Sequence, residues 1–104
     1  TNKPILIYEF SFAANDNGSW GPWRVSAATQ AERAQLMDAY VRSALASKKV
    51  VGVHWFRYRD QPLTGRGDGQ NFNFGLVSIT DRPYEEMVQT IRNLSSNLYT
   101  IRGN

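Results

Sequence analysis

Residues 4–12, Pro-Ile-Leu-Ile-Tyr-Glu-Phe-Ser-Phe, form an apolar run in which five of the six residues after Pro4 are aliphatic or aromatic. Near-continuous apolarity over so short a length predicts a strand buried on both faces. Residues 13–28 carry Asn, Gly, Ser, Ala and Trp without a period and predict a loop. Thr29-Gln30-Ala31-Glu32 fits a capping box, in which side chain and backbone satisfy each other's orphan groups. Behind it Ala34, Met37, Val41, Ala44 and Leu45 recur at helical spacing, so a helix is expected over 29–47. Lys48 and Lys49 then complement the negative end of its dipole.

A second apolar run, Val-Val-Gly-Val-His-Trp-Phe, predicts a strand over 50–56. Residues 57–74 are polar and contain Gly65, Gly67 and Gly69, the mark of a long loop, and 75–79 predict a short extended piece. Asp81-Arg82-Pro83 followed by Glu85 and Glu86 reads as a helix start. Tyr84, Met87, Val88, Ile91, Leu94 and Leu98 continue at three and four, placing a last helix over 83–97. The order is β-loop-α-β-loop-α, an α/β chain whose long loops follow its strands. In parallel α/β architectures those loops carry the chemistry.

Length changes this picture by bounding it. The 104 residues fit one domain, against the roughly 250 of a complete eight-stranded (β/α) barrel. The first residue is Thr rather than Met, which suggests a piece of a longer protein. Cysteine is absent, excluding disulfide scaffolds, thiolate metal sites and cysteine nucleophiles. Hydrophobic residues at 41% and aromatics at 12% suffice for a globular core. No apolar run approaches the roughly 20 residues of a membrane span, and no signal-peptide pattern occurs in these residues. The formal charge of +3 raises nucleic-acid binding. Yet the basic residues are scattered, with Lys48-Lys49 the longest run, whereas phosphate binding needs them gathered on one face.

Among residues able to do chemistry, Glu9 is the most informative. By strand alternation it shares a face with Ile5 and Ile7, while Leu6, Tyr8 and Phe10 share the other. A carboxylate at the carboxyl end of an apolar strand is costly unless hydrogen-bonded, paired or open to a cleft. The alternative is a strand-end glutamate already in solvent. Trp55 ends the second strand on the face of Val51 and Val53, so in a parallel pair it would rise at the same rim as Glu9. An indole face beside a carboxylate suits a pyranose ring; the alternative is a core tryptophan. His54, the single histidine, falls on the opposite, helix-facing side, and neither a Ser-His-Asp triad nor a metal site has support. No cofactor is expected. Asp60-Gln61-Pro62 and the stretch from Asp68 through Asn71 and Asn73 to Phe74 offer donors and acceptors for sugar hydroxyls, or ordinary turn chemistry. Gly65-Arg66-Gly67-Asp68-Gly69 lacks the Lys-Ser/Thr of a phosphate loop. Trp20 and Trp23 could form a sugar platform or cover the core.

These residues carry a resemblance. Lys-Pro-Ile-Leu-Ile-Tyr-Glu-Phe-Ser-Phe over 3–12 resembles the seventh strand of retaining glycoside hydrolases of the large (β/α)-barrel clan, where a Glu-Phe pair ends the strand. Val-Gly-Val-His-Trp-Phe-Arg-Tyr-Arg-Asp-Gln-Pro over 51–62 resembles their eighth strand. Residues 67–77 and 80–86 are similar to the closing segment of β-agarase-like and β-galactosidase-like members. The resemblance implies the C-terminal part of such an enzyme: two βα units, strands seven and eight with their helices, in one partial-barrel domain over 1–104. It implies that Glu9 is the catalytic nucleophile, Trp55 the tryptophan beneath the sugar, and Asp68, Asn71 and Asn73 substrate contacts. The parent enzyme would act on agar-like galactan outside the cell or in the periplasm.

The family's acid/base glutamate follows an Asn, and no Asn-Glu pair occurs here, so the isolated chain is expected to be inactive. Unpaired strand edges also predict self-association that buries Ile5, Ile7, Val51 and Val53. Two readings stand beside this one, a small non-catalytic carbohydrate-binding domain using Trp20, Trp23 and Trp55, and an α/β interaction domain in which Glu9 is structural.

Overall fold

The computed structural model describes residues 2–18 and 24–103. Trp20 and Trp23 lie outside them. In chain order the elements are β1 (Ile5–Phe10), β2 (Ala13–Ala14), β3 (Ser26–Ala27), α1 (Gln30–Ala46), β4 (Val50–Trp55), α2 (Glu85–Ser96) and α3 (Leu98–Arg102). β1 pairs with β4 in parallel, and β2 with β3 in a second parallel pair. The chain is thus a small α/β structure with two parallel sheets and three helices.

α1 starts where the capping pattern lies. Thr29 Oγ1 accepts from the Glu32 N–H at 3.2 Å, and Glu32 Oε2 reaches back to the Ala28 N–H at 2.8 Å. Its buried side is Gln30, Arg33, Ala34, Met37 and Val41. The apolar part of that stripe meets Met87 and Leu94 of α2 to form the core, and Phe10, Val53, Trp55, Leu76 and Ile91 pack around it. α3 adds Ile101 to this cluster, while Arg102 donates to the carbonyls of Val50 and Lys48 at 2.8 and 3.1 Å, tying the last helix to the start of β4.

The final helix differs from the expected 83–97 at both ends. Pro83 forms an antiparallel bridge with Val77, and the Tyr84 N–H donates to the Leu76 carbonyl at 2.9 Å. These bonds hold residues 83–84 extended, so α2 begins at Glu85. At Asn97 the backbone leaves the helical region, and Leu98 opens α3 instead of prolonging α2. The expected extended piece over 75–79 takes the form of bridges at Val77, to Arg59 on one side and Pro83 on the other. Gly75 sits where this strap crosses the segment after β4. A Cβ there would run into the backbone of Asp60 and the Val77 carbonyl, so the close approach requires glycine.

Register also departs from simple alternation. Ile5 pairs with Val50, Leu6 with Gly52, Ile7 with Val53 and Phe10 with Trp55, with shifts between Ile5 and Leu6 and between Ile7 and Phe10. An extra residue in one strand turns the side chains beyond it. Phe10 therefore points to the helices beside Trp55, three positions after Ile7 pairs with Val53. The expectation that Trp55 shares a face with Glu9, and His54 faces the helices, is reversed. Val53 and Trp55 cover the helical core and His54 is exposed. The helices present a bare apolar stripe, and burying valine and tryptophan against it costs less than burying an imidazole without a partner.

Candidate functional site

β1 brings Glu9 to its carboxyl end, and the loop after β4 folds back to face it. Between them lies a cleft of about 390 Å³ lined by Glu9, Phe10, Ser11, Phe12, Tyr40, Phe56, Arg66, Gln70 and Phe74. Glu9 is exposed to it. The floor is aromatic. Phe10 stacks on Tyr40 of α1 at 4.4 Å and meets Trp55 edge-on at 5.3 Å, while Phe12 meets Tyr40 edge-on at 5.9 Å. Across the cleft Phe56 and Phe74 pack edge to face at 5.9 Å. A carboxylate above aromatic rings is an arrangement in which a ring with hydroxyl edges and C–H faces can be held.

Trp55 does not line this cleft; Phe56, the next residue, does. Trp55 stands behind it in the helix-side layer, where its indole N–H donates to the Phe74 carbonyl at 2.8 Å and so fixes one cleft wall. Simple alternation would set Trp55 beside Glu9; the register shift between Ile7 and Phe10 puts Phe10 opposite Trp55 instead, and Phe56 lines the cleft with the carboxylate.

Asn73 is wholly buried and belongs to a polar network beneath the cleft. Its Oδ1 accepts from Gln30 Nε2 at 2.8 Å, and its Nδ2 donates to Asp60 Oδ1 at 2.8 Å. With both ends of the amide engaged and no exposed surface, it is not placed to touch a substrate; this corrects the expectation for Asn73. Asp60 is the centre of the network. Oδ1 also accepts from the Gly75 N–H at 2.8 Å, and Oδ2 accepts from the Tyr84 hydroxyl at 2.5 Å and Asn17 Nδ2 at 3.3 Å. Arg33, with no exposed surface, donates to the Asn73 and Gly75 carbonyls at 2.6 and 2.7 Å. Its guanidinium lies 5.0 Å from the centre of the Tyr84 ring.

Burial lowers the Arg33 pKa to about 10 against the opposing pull of Asp60. Burial also pushes the Tyr84 phenol up to about 12, helped by its hydrogen bond to Asp60. Gln61 is likewise buried, accepting from the Phe72 N–H at 2.8 Å and donating to Gln70 Oε1 at 3.0 Å. The Asp60-Gln61 pair therefore supports the loop rather than facing solvent.

Asp68 and Asn71 lie on that loop without lining the cleft. Asn71 Nδ2 donates to the Leu63 carbonyl at 3.3 Å. Asp68 is engaged by Arg66, with Nε to Oδ1 at 2.8 Å and Nη2 to Oδ2 at 2.5 Å. That hydrogen bonding holds the Asp68 carboxyl below its ordinary range and raises Arg66, to which Glu9 adds a smaller attraction. Arg66 was not singled out from the sequence; the glycines around it are a turn signal only. Among the described residues no group of three or more His, Cys, Asp or Glu is arranged to hold a metal ion, and no helix is long and apolar enough to cross a membrane.

β-Agarase A of Vibrio sp. (strain JT0107) is 46% identical over 99 residues, 94% of this chain and 10% of that protein. The chain is homologous to a small portion of β-agarases. β-Agarase B of the same strain is 42% identical over 102 residues, covering 97% of this chain and 11% of its own length. The chain thus spans about a tenth of the length of these relatives. Among solved structures, an exo-β-agarase superposes with a TM-score of 0.93 at 44% identity, over 97% of this chain and 14% of that one. The agarase AgWH50C does so with a TM-score of 0.92 at 39% identity, over 97% and 16%. No protein-family model matches the chain.

Proposed function

We propose that this chain is the part of a retaining β-glycosidase for agarose-like galactan that supplies the nucleophile. Two βα units, equivalent to strands seven and eight of a (β/α) barrel with their helices, make up its one partial-barrel domain. Glu9 attacks the anomeric carbon, the glycosidic oxygen leaves with a proton from a partner acid, and water then releases the sugar from the glycosyl-enzyme. The observation that carries this reading is an exposed carboxylate at the carboxyl end of a parallel strand, over an aromatic-floored cleft, in a chain 46% identical to part of a β-agarase. Phe56 and Phe74 take the sugar face in the cleft, and Trp55 acts through the Phe74 carbonyl. Asp68 and Asn71 belong to the loop that borders the substrate.

Retention requires a second carboxyl about 5–5.5 Å from the first. Among the described residues Glu9 is the only carboxylate lining the cleft, since Asp60 is buried and Asp68 engages Arg66. The acid/base therefore comes from outside these residues, and the chain by itself is inactive. A polymer substrate places the parent protein outside the cell or in the periplasm.

The test is covalent. After mixing with the remainder of a β-agarase, a 2-fluoro galactoside should add its glycosyl mass to the peptide containing Glu9. No label there, or equal labelling of a Glu9→Gln variant, refutes the assignment.

The open face of β1 and β4 exposes Leu6, Tyr8 and Val51 at 51, 74 and 64%. Ile7 and Val53 are half-buried, so the association surface shifts from the set expected on alternation to these three residues, with Ile5 at its edge. Isolated, the chain self-associates through this face. Light scattering of a monodisperse monomer would refute that.

A further inference from the structure

The loop opposite Glu9 is more rigid than a glycine-rich sequence suggests. The Arg66 N–H donates to the Gln70 carbonyl at 2.9 Å and the Gly69 N–H to the Arg66 carbonyl at 2.7 Å, closing residues 66–70 on themselves. Gly65 and Gly69 make the turn with φ of 83 and 82°, conformations that disfavour a side chain. Gln70 is anchored in turn to buried Gln61. Within this frame Asp68 holds one edge of the Arg66 guanidinium, Nε and Nη2, at 2.8 and 2.5 Å, a bidentate fork that fixes the arginine's orientation. Both Arg66 and Glu9 line the cleft.

We infer that Arg66 is a specificity-determining residue of the Glu9 cleft, withheld from anions by Asp68 and left to donate to uncharged hydroxyls. The inference rests on the proposed glycoside function and deepens it by setting the class of sugar accepted. The guanidinium edge left open, Nη1 with the second Nη2 proton, lies in the field of two carboxylates, so an anion approaching it meets the like charge of both Asp68 and Glu9. One guanidinium set between two carboxylates gives this side of the cleft a net negative charge. A neutral hydroxyl needs one donor and leaves the fork intact, so the remaining N–H groups of Arg66 can bond to it. The cleft therefore takes an uncharged glycan and rejects sulfated or uronate-bearing ones.

The test follows the Arg66 Nε–Hε signal by NMR in the isotope-labelled 104-residue chain mixed with the unlabelled remainder of a β-agarase, titrated separately with an agarose tetrasaccharide and with inorganic sulfate. In the wild type the signal should move with the tetrasaccharide and stay still with sulfate up to tens of millimolar. Asp68→Asn should confer a sulfate response at concentrations at least tenfold lower than any seen in the wild type. Asp68 is exposed, so the variant should keep its fold, and backbone signals outside 65–70 report whether it does. Asp68→Ala serves as the second variant should Asn rebuild the fork. Sulfate moving wild-type Arg66 as readily as the variants overturns the inference. So does a tetrasaccharide that shifts Glu9 and Phe56 but leaves Arg66 unmoved, with the glycosidase reading then intact. A tetrasaccharide that shifts no cleft signal overturns the uncharged-glycan assignment and the proposed function of this chain together, while the sulfate contrast still decides whether Asp68 withholds Arg66.

Discussion

Replacing Asp60 by Ala removes the acceptor on which four buried or half-buried donors converge, Asn17 Nδ2 at 3.3 Å among them. Asn73 Nδ2 and the Gly75 N–H both bond to Oδ1 at 2.8 Å, and the Tyr84 hydroxyl bonds to Oδ2 at 2.5 Å. Arg33, also buried, loses the negative charge that opposes its desolvation. A buried polar group left without a partner costs about 1–3 kcal/mol, and Arg33 loses a Coulombic attraction besides, while its hydrogen bonds to the Asn73 and Gly75 carbonyls remain. The two costs overlap, and water can enter a side-chain-sized void, so they do not add in full. We expect a loss of about 4 kcal/mol, a large part of the roughly 5–15 kcal/mol that stabilises a domain of this size.

Urea unfolding followed by far-ultraviolet circular dichroism reads this as a fall in midpoint of about 2 M, taking a slope of about 2 kcal/mol per M. Asp60→Asn keeps one acceptor oxygen and should lose about half as much. An Asp60→Ala variant within about 1 kcal/mol of wild type would refute the claim that this carboxylate holds the loop, and would return Asp60 to the list of candidate substrate contacts.

Other outcomes follow from the same network and cleft. Gly75→Ala forces a Cβ against the Asp60 and Val77 backbone and should cost about 2 kcal/mol in urea unfolding, in the range of overpacked cores. Glu9→Gln, at an exposed position, should leave the unfolding free energy within about 0.5 kcal/mol of wild type while abolishing glycosyl labelling. The Tyr84 phenol, raised to about 12 from an ordinary 10.0, should ionise late in a 295 nm titration. Because its folded value is the higher one, its contribution to stability is full below pH 10 and is lost as the pH rises through about 12. Arg33, lowered to about 10, acts in the opposite sense, since its charge is costly when folded and deprotonation relieves that cost. The difference between wild type and Tyr84→Phe, measured from pH 9 to 12, therefore isolates the phenol, and a flat difference would contradict it.

What could be read from sequence was local. The capping pattern at Thr29, the 3.6-residue stripe through Met37 and Val41, and the two apolar runs that became β1 and β4 all depend on neighbours within a few positions. Glu9 stood out for the same reason, as a charge at the end of an apolar strand. Tertiary contact decided the rest. Strand alternation assigns faces only while the register is unbroken, and the shift between Ile7 and Phe10 set Phe10 rather than Glu9 opposite Trp55, leaving Phe56 to line the cleft with Glu9.

Asn73 and Asp60 looked like loop polarity suited to sugar hydroxyls. Asn73 is buried where it meets Gln30 and Arg33, polar residues on the stripe of α1 some forty positions away, and Asn73 in turn bonds Asp60. Composition and spacing carry no record of such pairings, since a hydrogen bond depends on where two atoms meet in space. The sequence by itself determined β1, α1, β4 and the body of α2 and the carboxylate they present; the tertiary structure decided the short pairs β2 and β3, the break before α3, and which aromatic and which cation face that carboxylate.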